Sequence, residues 1–255
     1  GAITGNVGVS DASVGLVYRS IQVATVTGSC SVTGNYFSGG QNAALFSDTT
    51  YALIDSNTFE MPSNAANVCA VDMYSTNGSA SHSFKFTNNI IKSVKTGFRY
   101  GDHASHSTEL ENILVKDNLI VYAGGSAATS GMYGIYMKDY SGGEVSDNFV
   151  DAFYNGITMD TPSAGETSVM QVKGNVVRNC VNYGIQISGS TTRVIDSNLT
   201  YDNSVGIRLE SSTNVYNTLL TNNKVFDGIT SASGSSATTQ IDNMQFETGS
   251  GMGGT

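Results

Sequence analysis

Tryptophan is absent from this chain, proline occurs twice and cysteine three times. Cys30, Cys69 and Cys180 fall at unrelated phases, so no disulfide framework is readable and the three are expected to be small buried side chains. Charge is scarce and lopsided: 12 Lys and Arg face 21 Asp and Glu, a net charge of −9. That balance argues against nucleic acid or an anionic membrane as partner and weakens a strongly anionic substrate. No apolar run is long enough to cross a membrane as a helix, so no membrane insertion is expected. Residue 1 is Gly rather than Met, and no signal peptide is visible. The chain is therefore read as a piece of a longer protein, or as one whose ends are capped by its own assembly. No cofactor is expected.

What the sequence has instead is a repeat, the feature to look for first in any chain. Its asparagines are Asn35, Asn57, Asn89, Asn118, Asn148, Asn175, Asn198 and Asn223, spaced by 22, 32, 29, 30, 27, 23 and 25 residues. Three residues before each stands an apolar side chain: Val32, Ile54, Phe86, Val115, Val145, Val172, Ile195, Leu220. Two residues after comes a second, apolar in all but Thr200. A Gly-Ile or similar pair alternates with this motif, at Ala44, Ala70, Gly97, Gly134, Gly156, Gly184, Gly206 and Gly228. Each repeat thus holds two or three short strands with in/out alternation, and no helical period.

About 22 residues is enough for one coil of a parallel β-helix, in which strands of successive coils stack about 4.8 Å apart and like residues form columns. The apolar positions are the inward columns. The asparagines are expected at a bend, in left-handed conformation, bonding the same residue one coil away as scaffold without chemistry. The glycines before Ile are expected to allow a sharp corner. In these columns the chain resembles the right-handed parallel β-helix superfamily, which includes pectate-lyase-like enzymes, alginate epimerases and the tailspike depolymerases of bacteriophages. The resemblance covers residues 15–230. It implies an all-β, right-handed, single-stranded parallel β-helix of about eight to nine coils, its handedness following the general rule for parallel crossovers. Residues 1–14 are expected to be an irregular lead-in, and residues 231–255 a low-complexity segment with a last imperfect coil and a loose tail.

Function is carried by loops and outward strand positions. Insertions cluster on the middle coils, at residues 60–67, 75–81, 101–112, 122–133 and 161–168. Counting from the Gly-Ile pair, one outward column reads Phe46, Asp72, Arg99, Tyr136, Thr158, Gln186, Arg208. The next reads Asp48, Tyr74, Gly101, Lys138, Asp160, Ser188, Glu210. Mixed aromatics, carboxylates and cations between flanking loops suit a polysaccharide, whose rings stack on aromatics and whose hydroxyls bond to charged groups. The alternative is a solvated sheet face with cross-coil ion pairs.

Tyr100-Gly101-Asp102-His103 resembles the Tyr-Gly-x-Asp-x-His motif of mannuronan C5-epimerases, without the two spacer residues. That resemblance implies Tyr100 as acid, Asp102 as neutraliser and His103 as base. Asp102, His103 and His106 on one loop suggest a metal site as a minor alternative, but with no closing fourth ligand none is expected. Hydrolysis would instead draw on two carboxylates from Asp72, Asp102, Asp139 and Asp160. Lyase or epimerase chemistry would need Arg99 or Lys138 to hold a uronate, with His103 or Tyr100 as base. Tyr74, Tyr136 and Arg208 complete the expected binding surface. Three classes of function follow: a tailspike-like depolymerase acting as a homotrimer, outside the cell or on a virion surface; a secreted uronan lyase or epimerase; and a non-enzymatic glycan-binding adhesin or fibre shaft.

Overall fold

The computed structural model describes residues 1–9, 19–39, 42–61, 69–74, 83–93, 95–101, 112–138, 142–160, 169–188, 193–210, 218–231, 239–241 and 243–245. Every strand pairing is parallel, and strands pair with the coil before and the coil after. The repeating unit is seen in one coil: Ile113–Lys116 leads to the Asn118 corner, Leu119–Tyr122 leaves it, and Tyr133–Met137 closes the turn. The first strands of successive coils stack on one face, the second strands on another and the third on the last. Second strands form a ten-stranded sheet running from Val7–Val9 to Met244–Gln245. First and third strands share one larger sheet because Arg19–Thr33 and Asn42–Asp55 run unbroken from a third strand into the next first strand. The described residues form a parallel β-helix of nine full coils with one further rung of first and second strand.

The inward columns are apolar and closed to solvent. Phe86, Val115, Val145, Val172, Ile195 and Leu220 are fully buried and in register, as the motif predicts. In the early coils aromatic rings replace aliphatics, and Phe37, Phe59, Phe86 and Phe98 stack at centroid distances of 5.4, 6.2 and 4.7 Å. One inward position holds Arg193, fully buried between Met170 and Thr218, with Nη2 donating to the Ser188 carbonyl at 2.7 Å.

The asparagines form a continuous ladder. Each backbone N–H donates to the Oδ1 of the next rung at 2.8–3.1 Å. The side-chain Nδ2 donates to the same Oδ1 and, from Asn35 onward, back to the carbonyl of an inward residue one coil earlier, as Asn148 does to Val115. From Asn35 to Asn223 burial leaves these amides no water, so each must find its partners within the protein.

Four expectations are corrected. Residues 1–14 do not start as an irregular lead-in: Ala2–Thr4 and Val7–Val9 are strands, and Asn6 is a rung of the ladder. Asn243 extends it at the other end. The left-handed residue at the corner is the one before each ladder asparagine from Asn6 to Asn223, with φ of 53–66° at Gly5, Gly34, Ser56, Asn88, Asp117, Asp147, Gly174, Ser197 and Asn222. The reversal there turns the chain, leaving the following Asn to point inward. The Gly-Ile glycines from Gly97 to Gly206 serve contact rather than corner geometry, whereas Gly228 has a left-handed φ of 79° and open space where a Cβ would stand. A Cβ on Gly156 would lie 2.5 Å from the Gly184 carbonyl oxygen and against Val177 Cγ1. Finally, the outward columns slip by one in the second coil: Leu45, not Phe46, is in register with Asp72, and Ser47, not Asp48, with Tyr74.

Candidate functional site

The outer face of the third strands brings most of the expected residues together. Asp72, Arg99, Tyr136, Thr158, Gln186 and Arg208 lie in one unbroken column, as alternation predicts. Two residues on, Ser188 is in register with Glu210 and donates to Asp160, and Lys138 and Asp160 follow Met137 and Met159 at the ends of their strands, continuing the same register into a second column. Tyr74 ends the strand Cys69–Tyr74. Asp102, His103, Asp139 and His106 lie outside the described residues.

The upper end of the face is an ion pair. Arg99 grips Asp72 with two parallel bonds, Nε to Oδ1 at 3.0 Å and Nη2 to Oδ2 at 2.6 Å. The Asp72 side chain is 4% exposed. Such a fork is the strongest way to hold a carboxylate, and it occupies the group that the sequence offered as a catalytic acid. Tyr100 is corrected outright: its ring is fully buried on the inner side, edge-on to Phe84 at 5.8 Å, so it is a core residue and touches no substrate. Alternation requires this, because Phe98 and Tyr100 face one way and Arg99 the other.

Below the ion pair the face is aromatic and amide-rich. The half-buried rings of Tyr133 and Tyr136 lie 4.8 Å apart, tilted by 36°. One coil on, Asn155 Nδ2 and Thr158 Oγ1 both donate to Gln186 Oε1, at 2.8 and 3.3 Å. Asn155 Oδ1 in turn accepts from Asn182 Nδ2 at 3.1 Å. At the lower end the Arg208 guanidinium lies 5.9 Å from the Tyr183 ring centroid, with Nε 3.8 Å from Glu210 Oε1.

Asp160 sits between these zones, half-buried. Its Oδ1 accepts from Ser188 Oγ at 3.1 Å and its Oδ2 from the Tyr136 hydroxyl at 3.4 Å. Asp72 is three coils away, about 14 Å at the strand spacing, too far to act with it. Glu210 stands in Asp160's own column with Ser188 between, so the two backbones are two spacings, about 10 Å, apart. A carboxyl pair separated by about 6.5–9.5 Å leaves room for a water and a sugar between its members. The sequence places Glu210 in this column, on a compact coil outside the cluster of insertions and not among the expected carboxylates.

The cysteines offer no nucleophile. All three are buried and none is in a disulfide. Burial pushes the Cys180 thiol up to about 12 and holds Cys69 well above its ordinary value, so neither forms a thiolate at neutral pH. Among the described residues no group of three His, Cys, Asp or Glu is placed to hold a metal ion.

No curated protein and no solved structure matches the chain. A family profile does match, over residues 73–246, more than half of the chain, and its description is a right-handed beta helix region. The parallel pairing, the stacked inward columns and this match agree: the chain belongs to the right-handed β-helix family.

Proposed function

We propose that the outer face of the third strands binds an extended polysaccharide and hydrolyses it between Asp160 and Glu210. The observation that carries this reading is the Asp160–Ser188–Glu210 column, flanked by the Tyr133–Tyr136 ring pair on one side and Tyr183 with Arg208 on the other. A glycan running along the helix axis crosses one coil roughly per sugar. The rings offer stacking platforms, and Asn155, Thr158 and Gln186 offer hydroxyl partners. One carboxyl of the pair protonates the glycosidic oxygen while the other takes a proton from the attacking water, which gives inversion at the anomeric carbon. Uronate lysis or epimerisation is the weaker reading, because Arg99 is engaged by Asp72 and Tyr100 lies in the core. A protein with this activity works where bacterial or algal glycans are, outside the cell or on a virion surface.

The test is a panel of neutral, capsular and alginate-type glycans, read for reducing ends and for the absorbance of unsaturated uronates. Reducing ends without absorbance are expected, and Asp160→Asn and Glu210→Gln each lower turnover by at least about 10²-fold, the scale of a positioned acid or base. Absorbance rising with the reducing ends would replace hydrolysis by a lyase. Full turnover in both variants would remove the pair. Binding without product would leave the face a recognition surface only.

A further inference from the structure

The opposite flank of the coil carries a feature that neither the scaffold nor the glycan face explains. The residue just after each ladder asparagine points outward from the second strands. Over five successive coils it is apolar: Ile90, Leu119, Phe149, Val176 and Leu199, in strict register. The stripe spans four strand spacings, about 19 Å. Ile90 and Leu119 are 38% and 39% exposed, and the other three are partly so. Scattered exposed apolar residues need no explanation, but a contiguous row of them marks a surface that is covered.

The column beside the stripe says what kind of partner covers it. It reads Glu60, Lys92, Val121, Asp151, Arg178, Tyr201. Its charges are paired within the chain, Lys92 with Glu60 at 2.7 Å and Arg178 with Asp151 at 3.0 Å. In a chain of net charge −9, this flank presents no net charge, so an equally acidic molecule approaches it without repulsion. The stripe's ridges also recur at the strand spacing. A second β-helix of this chain has ridges of the same pitch, and two such rows interlock along their whole length. An unrelated globular surface has no reason to match that period. An anionic membrane meets a protein of net charge −9 with no unpaired cation in this column to hold it.

We infer that this stripe is the surface on which copies of the chain pack against one another. The contact is separate from the glycan face and does not depend on the reading of that face.

The test is the molar mass of the intact chain by light scattering across the micromolar range, with circular dichroism and melting recorded alongside. The wild type is expected to run as a multiple of 26.7 kDa. Leu119→Lys and Ile90→Lys each raise the dissociation constant at least tenfold while leaving the β spectrum and the monomer's melting intact, since both side chains already meet solvent. Val181→Lys, an exposed apolar position (43%) off the stripe, leaves the mass unchanged. A wild-type monomer at every concentration would overturn the inference. So would an oligomer that ignores both stripe substitutions, or one that Val181→Lys breaks instead.

Discussion

Asn148→Ala isolates what one rung of the ladder contributes. In the folded chain Asn148 Oδ1 accepts from Asn118 N at 3.1 Å and from Asn118 Nδ2 at 2.8 Å. Its Nδ2 donates to the Val115 carbonyl at 2.9 Å and to Asn175 Oδ1 at 3.0 Å. Truncation removes all four bonds in a place closed to water. Two of the orphaned groups keep another partner: Asn118 Nδ2 still reaches the Phe86 carbonyl, and Asn175 Oδ1 still accepts the backbone N–H of residue 148. The Asn118 backbone N–H keeps none of its ladder bonds, and the Val115 carbonyl loses its amide. Each buried polar group left unpaired costs about 1–3 kcal/mol, so the variant should lose roughly 2–5 kcal/mol. For a chain of this size that corresponds to a fall in Tm of about 2–4 °C per kcal/mol, or roughly 5–20 °C. Asn6→Ala is the matched control. Asn6 is exposed, and its side-chain bonds go to Asn35 Oδ1 at 3.2 Å and to the Thr4 carbonyl at 3.0 Å. Its loss should cost under about 1 kcal/mol. Thermal melting followed by circular dichroism measures both. If Asn148→Ala melted within a degree of wild type, or no lower than Asn6→Ala, the ladder would be ornament and the stability would lie in the apolar columns alone.

Two further outcomes follow from the interior and the corners. Val145→Asp places a carboxylate between Val115 and Val172, all fully buried, and should cost several kcal/mol or abolish folding, read by urea denaturation. At one corner, hydrogen bonds from Thr221, then Asn222 and Ser197, hold the Asp196 carboxyl below its ordinary 3.8 despite some burial. A depressed folded pKa stabilises the fold above the unfolded value and loses that contribution as pH falls through the folded one. The Tm gap between wild type and Asp196→Asn should therefore be full at pH 6 and narrow below pH about 4; a gap independent of pH would refute this.

The V-x-x-N-x-V pattern made the scaffold legible, because a column needs the same residue type at every coil. Where the type changed, legibility failed. Asn6 has Ile3 before it but Gly8 after, and Asn243 has Gln240 and Gln245, so neither end rung matched the motif although both hold the ladder. The second coil slipped because Ala43 and Ala44 are adjacent and either fits the small-residue position; with a period of two, one residue of slip turns every side chain to the other face. Tyr100 shows the opposite error. Alternation alone placed it inward, and the likeness to an epimerase motif drew it out. Arg193 could not be read at all, since a lone Arg among Met170 and Thr218 gives no sign that it is buried. The site was visible as columns but not as partners, because the Arg99–Asp72 fork and the Ser188–Asp160 bond depend on which coils become neighbours.

The ladder is indifferent to how much chain separates its rungs. Successive asparagines are 29, 22, 32, 29, 30, 27, 23, 25 and 20 residues apart, yet the bond between them stays within 2.8–3.1 Å. Lengthening a loop costs only the slow logarithm of closure entropy, about 0.6 kcal/mol for each doubling. The corner acts as a ratchet that resets the register once per turn, so an insertion in one coil does not propagate to the next. A chain built this way can acquire or lose whole loops while its outer columns stay aligned, and the walls of the glycan face can be exchanged without rebuilding its floor.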